Sequence, residues 1–80
     1  ELLGLVAFEA GNYRRALELW RGIEDVPEHR ASFLFRVSAI ASARLGQKQD
    51  AVHYARLARD SARTDEESRQ SEELLGALQQ

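Results

Sequence analysis

The chain has 80 residues, 44% hydrophobic and 30% charged, with no cysteine: one small domain at most, with no disulfide to staple it. A formal net charge of -2 gives no electrostatic case for nucleic acid or an anionic membrane surface. No apolar run approaches the roughly 18 residues that a membrane span needs.

The first predicted element is a helix from Glu1 to Ala10, carrying Leu2, Leu3, Leu5, Val6 and Phe8 on more than one side. Gly11 supplies the left-handed residue that ends it, and Asn12 is placed to cap the next helix. That second helix is predicted over Tyr13 to Ile23. Tyr13, Ala16, Leu17, Trp20 and Ile23 form its apolar stripe, and Arg14, Arg15, Glu18 and Arg21 its outer side, with Arg14 and Glu18 spaced to pair. Asp25-Val26-Pro27-Glu28 reads as the next start, with Asp25 as cap, Pro27 in the first turn and Glu28 completing a capping box. The third helix then runs to about Leu45, with Phe33, Val37, Ile40 and Ala41 among its inward candidates, and Gly46 ends it.

A fourth helix is predicted over Lys48 to Ala62, where Ala51, Ala55, Ala58 and Ala62 permit close helix approach. Thr64-Asp65-Glu66-Glu67 is a further capping-box signature and opens a fifth helix to about Leu78. Its stretch from Asp65 to Glu73 is wholly polar, with Arg69 spaced to pair with Asp65 and Glu73; Leu74, Leu75, Ala77 and Leu78 offer its apolar face. The connections are short, as antiparallel helix pairs require. The fold class expected is all-α: antiparallel helical hairpins stacked as a short α-solenoid of about five helices.

Gly11 and Gly46 lie 35 residues apart, and each is followed five residues later by a small residue, Ala16 or Ala51. A period of this size marks stacked supersecondary units. Leu3-Gly4, Gly11-Asn12-Tyr13, Ala16 and Trp20 together resemble the tetratricopeptide repeat. The second copy is more degenerate: it keeps Gly46, Ala51 and Ala58, has Ala39 in the place of Gly4, Lys48 in the place of the turn tyrosine and Ala55 in the place of Trp20. Glu73-Leu74-Leu75-Gly76 repeats Glu1-Leu2-Leu3-Gly4 letter for letter. The resemblance divides the chain into repeat one at about 1–26, repeat two at about 27–63 and a terminal or third-repeat helix at about 64–80. Leu2, Leu5 and Val6 are either core of this unit or a face that packs on a preceding repeat. The chain begins at Glu1 and contains no methionine, which is the pattern of a piece of a longer protein. Ten of its 11 basic residues are arginine, as a GC-rich bacterial genome would produce. A chain without cysteine suits the cytoplasm and the periplasm equally.

What the resemblance implies is a module that binds proteins and does no chemistry. In that family the first helix of each pair lines a concave groove. The groove candidates are then Leu5, Phe8 and Glu9 on the first helix and Phe33, Arg36, Ile40 and Arg44 on the third. Arg36, Ile40 and Arg44 follow one another at i, i+4, and two arginines around an isoleucine suit an acidic peptide with an apolar contact. The competing reading of the same stripe is an ordinary solvated ridge. The family's subgroup that grips a peptide carboxylate with Lys and Asn is argued against, since the matching positions are Glu1 and Leu5.

The partner expected is therefore a protein or peptide segment, with self-association or a spacer role as the alternative. A third reading is an accessory domain whose active part lies in other sequence. No cofactor and no metal is expected: His29 and His53 lack helix-face partners of a zinc motif, and no nucleophile or phosphate-loop motif is present. Nucleic acid is argued against as well, because Glu9, Glu18, Glu24 and Asp25 surround the cluster Arg14, Arg15 and Arg21.

Overall fold

The computed structural model describes residues 2–22 and 26–79, and these form five helices: α1 Leu2–Glu9, α2 Tyr13–Arg21, α3 Glu28–Arg44, α4 Lys48–Asp60 and α5 Asp65–Leu78. They pair in sequence. α1 packs on α2, α3 on α4, α2 on α3, and α5 against both α4 and α3. The all-α hairpin arrangement expected from the sequence is the one observed.

The two hairpin turns are built alike. In the first, Gly11 sits at φ 83°; its N–H donates to the Phe8 carbonyl and the Asn12 N–H to the Ala7 carbonyl at 2.8 Å. In the second, Gly46 sits at φ 78°; its N–H donates to Ala43 and the Gln47 N–H to Ser42 at 2.9 Å. Both are Schellman endings, which satisfy carbonyls the helix leaves open and need a residue that tolerates positive φ. The next residue has the same backbone in both turns: φ -89°, ψ 72° at Asn12 and φ -94°, ψ 73° at Gln47. Asn12 uses its side chain to accept from the Arg15 N–H at 3.3 Å, whereas Gln47 makes no such cap.

The helix ends differ from expectation by small amounts. α1, α2, α3 and α4 stop one or two residues before the expected Ala10, Ile23, Leu45 and Ala62. Ile23 and the expected cap Asp25 lie outside the described residues. α3 starts at Glu28 with Pro27 as its N-cap, not within its first turn. Pro27 adopts φ -56°, ψ 139°, an extended conformation, and has no side-chain hydrogen bond to offer. The α5 start is a working cap: Thr64 Oγ1 accepts from the Glu67 N–H at 3.1 Å, and Glu67 Oε1 accepts from the Arg63 N–H at 2.9 Å. The reciprocal bond reaches one residue further back than in a standard capping box. The surface ion pairs are also offset. Arg15, not Arg14, meets Glu18 at 3.5 Å, and Arg69 meets Glu66 at 3.6 Å, both at i, i+3 spacing. Both are exposed pairs of small energetic weight.

Two core clusters share α3. The first joins Ala16, Leu17 and Trp20 of α2 to Leu34, Val37 and Ala41 of α3, with Leu5, Phe8, Tyr13 and Phe33 packed around them. The second joins Ala39 of α3, Ala55 of α4 and Leu75 of α5, with Val52, Tyr54, Leu74 and Leu78 around them. Because α3 is covered by helices on several sides, it buries Ser32, Ser38 and Ser42 as well as apolar residues. Small side chains let neighbouring helices come close. Ser32 Oγ donates to the Ala58 carbonyl at 2.9 Å and so ties α3 to α4. Ser71, in the polar-looking half of α5, is fully buried and donates to the Glu67 carbonyl at 2.8 Å.

Gly4 has a specific steric task. A Cβ built there would come within 2.7 Å of Trp20 Cδ1, so the indole occupies the space that any side chain would need. Gly76, which matches Gly4 in the tetrapeptide repeat, has open space at that position and is exposed. The letter-for-letter match therefore does not extend to the packing role.

Candidate functional site

The sequence stripe on α3 lies on the least covered side of that helix. Phe33, Arg36 and Ile40 are half-buried and Arg44 is exposed, whereas Leu34, Val37, Ser38 and Ala41 point to the core. A rotation of about 100° per residue separates the two sets, so a regular helix with this sequence must present them apart. Phe33 is flanked by two guanidinium groups: Arg30 lies 4.4 Å and Arg36 5.6 Å from its ring centre. Cations over an aromatic face are attracted by its quadrupole. Arg36 Nη1 also donates to Gln70 Oε1, which anchors the stripe to α5. Phe33 and Arg36 are thus held in place by their neighbours, and Arg44 extends the stripe into solvent.

The α1 candidates divide differently. Leu5 and Phe8 pack on the first core cluster. The Phe8 ring lies 5.4 Å from Tyr13 in an edge-on arrangement and 5.9 Å from Trp20. These contacts hold α1 on α2, so Phe8 serves the hairpin. Glu9 is exposed. The apolar surface that α1 shows to solvent consists instead of Leu2, Leu3 and Val6, at 73%, 70% and 57% exposure. Helix periodicity does not reveal this from the sequence, because α1 is apolar on every side.

A concave feature lies between α2, α3 and α4. Leu17 and Trp20 of α2, Leu34 and Phe35 of α3 and Tyr54 of α4 enclose a hollow of about 230 Å³, bordered also by Arg21, Val26, Ala31 and Ser38. Phe35 and Tyr54 stack, with ring centres 6.5 Å apart and planes at 23°. Arg21 Nε donates to the Tyr54 hydroxyl at 3.4 Å, bridging α2 and α4 at the rim. The Tyr54 hydroxyl is the main reason that Arg21 is held even more firmly protonated than usual; desolvation opposes it, and Asp50 and Glu18 add smaller contributions in its favour. The hollow brings together residues from three helices, so no single-helix pattern announces it.

His29 and His53 are both exposed, and His53 lies beside Tyr54 with ring centres 5.8 Å apart. Among the described residues no cluster of three or more His, Asp or Glu side chains could hold a metal ion. Among them, too, no helix is long and apolar enough to cross a membrane. Compared with known protein families, characterised proteins and solved structures, the chain has no significant match.

Proposed function

We propose that this chain is a non-catalytic, tetratricopeptide-like module that binds a peptide or protein segment within a larger bacterial protein. The observation that carries this reading is the least covered side of α3, where Arg30 and Arg36 flank Phe33 and Arg36 is fastened to Gln70. A pre-ordered arginine loses less freedom on meeting a carboxylate than a freely rotating one. Ile40 and the exposed Arg44 continue the surface along the same side. The occupant this suits is an acidic segment with an apolar residue, its carboxylates on Arg36 and Arg44 and its hydrocarbon on Ile40.

The test is titration calorimetry with acidic and basic decapeptides carrying one central leucine. Acidic peptides should bind, and the double substitution Arg36→Glu with Arg44→Glu should weaken them by at least about tenfold, roughly 1.4 kcal/mol. Circular dichroism should show unchanged helicity. Equal affinity for both peptide classes, or for both proteins, defeats the assignment.

Self-association is the second reading, favoured by Leu2, Leu3 and Val6 on α1. Thirty-five residues on, the matching positions Val37, Ser38 and Ala41 are buried. Val37 and Ala41 belong to the cluster that α2 builds on α3. The molecule thus displays, between its own hairpins, the packing that would cover the α1 face. Sedimentation equilibrium separates the readings: a monomer at all micromolar concentrations rejects this one.

A further inference from the structure

The hollow between α2, α3 and α4 is distinct from the α3 stripe and lies on roughly the opposite side of that helix, since Ala31, Leu34, Phe35 and Ser38 alternate with Phe33, Arg36 and Ile40 around it. We infer that it is a binding site for an apolar carboxylate: one aromatic or branched hydrocarbon group in the hollow, with a carboxylate a few bonds away on Arg21.

Three observations carry this. The walls are hydrocarbon and aromatic, from Leu17, Trp20, Leu34, Phe35 and Tyr54, and the volume of about 230 Å³ suits one such group. Ligand sites of this kind are mostly apolar with a few polar groups that set orientation. Next, the rim is asymmetric in charge. Arg21 is the one ionised side chain that borders the hollow among the described residues. Finally, Arg21 is positioned: its Nε is committed to Tyr54, and among the described residues its terminal nitrogens have no ion pair or hydrogen bond of their own. Glu18 is already engaged with Arg15, and Asp50 acts on Arg21 only through space. A planar guanidinium held by one edge presents its other nitrogens for a paired contact with a carboxylate.

The ligand chemistry has two sources, a free arylalkyl carboxylic acid or the C-terminal residue of a peptide. Trp20 is the only tryptophan in the chain and forms part of the wall, so its fluorescence reports occupancy directly. The experiment titrates the protein with 3-phenylpropionate, 3-phenylpropionamide, and an acetylated tripeptide ending in phenylalanine as its free acid and as its amide. A saturable change in tryptophan emission is expected for the acids, with the neutral amides about tenfold weaker. Tighter binding of the tripeptide acid assigns the peptide source, and equal or tighter binding of the free acid assigns the small molecule. Arg21→Gln should erase the preference for acid over amide while leaving the far-ultraviolet dichroism unchanged. Ala31→Phe, which fills the hollow, should abolish both signals. No saturable response from any acid overturns the proposal. So does an acid preference that survives in Arg21→Gln. Neither result bears on the α3 stripe, which is tested with different residues and a different method.

Discussion

The two hairpins share a turn and differ in how they fill the space behind it. In the first, Gly4 gives up its side chain so that Trp20 can lie against the α1 backbone. In the second, the matching positions are Ala39 and Ala55, both fully buried, and Leu75 of α5 joins them. One hairpin is closed by a large side chain of its own second helix. The other is closed by small residues on both helices and completed by a helix from outside the pair. The turn is therefore the repeated part, and the filling of the interior is local to each unit. This follows from the physics of each: a Schellman ending depends on one positive-φ residue, whereas packing depends on every neighbour.

This contrast can be broken at its most extreme point first. Trp20→Ala should cost about 3–5 kcal/mol, because it removes the central side chain of the first cluster, whereas Ala55→Gly at the matching position should cost only about 1 kcal/mol. Chemical denaturation measures both, and equal losses would show that the hairpins are packed alike. Gly4→Ala should cost about 1–3 kcal/mol through overpacking against Trp20. In a Trp20→Ala background that penalty should vanish, which a double-mutant cycle detects. The glycine turns sharpen the other half of the comparison. Gly11→Ala and Gly46→Ala should each cost about 1–2 kcal/mol and by similar amounts, since both sites are open to a methyl group and only the positive φ opposes it. Unequal costs would indicate that the turns are not energetically equivalent. A loss as small as that of Ala55→Gly should come from Thr64→Ala at the start of α5, about 1 kcal/mol, read as a shift in the thermal midpoint.

Much of the α3 stripe was legible from spacing alone. Arg36, Ile40 and Arg44 recur at i, i+4, and a helix must place such residues on one side. The partners of Arg36 were not legible, because Gln70 lies 34 positions away on another helix. Its place on a first helix makes Phe8 a groove candidate, yet Tyr13 and Trp20 draw it into the hairpin. Ser32, Ser42 and Ser71 were invisible as core residues. Polarity suggests solvent, but a serine whose hydroxyl bonds to a carbonyl, as those of Ser32 and Ser71 do, can be buried where a larger side chain would hold helices apart. Ser42 Oγ is buried with no such partner, and its small size is what suits it to the site.

What the sequence by itself determined is the set of elements: five helices, the two glycine-ended turns, the Asn12 and Thr64 caps and the 35-residue period that relates the first two hairpins. The helices, turns and caps depend on contacts within five residues, where backbone sterics and hydrogen bonding leave few alternatives. What only the tertiary structure decided is which surfaces remain open. The Leu2, Leu3 and Val6 face of α1, the anchoring of Arg36 on Gln70 and the hollow under Arg21 and Tyr54 each depend on where a neighbouring helix lies or fails to lie. Burial is a property of the assembled helices, and no one of them encodes it alone.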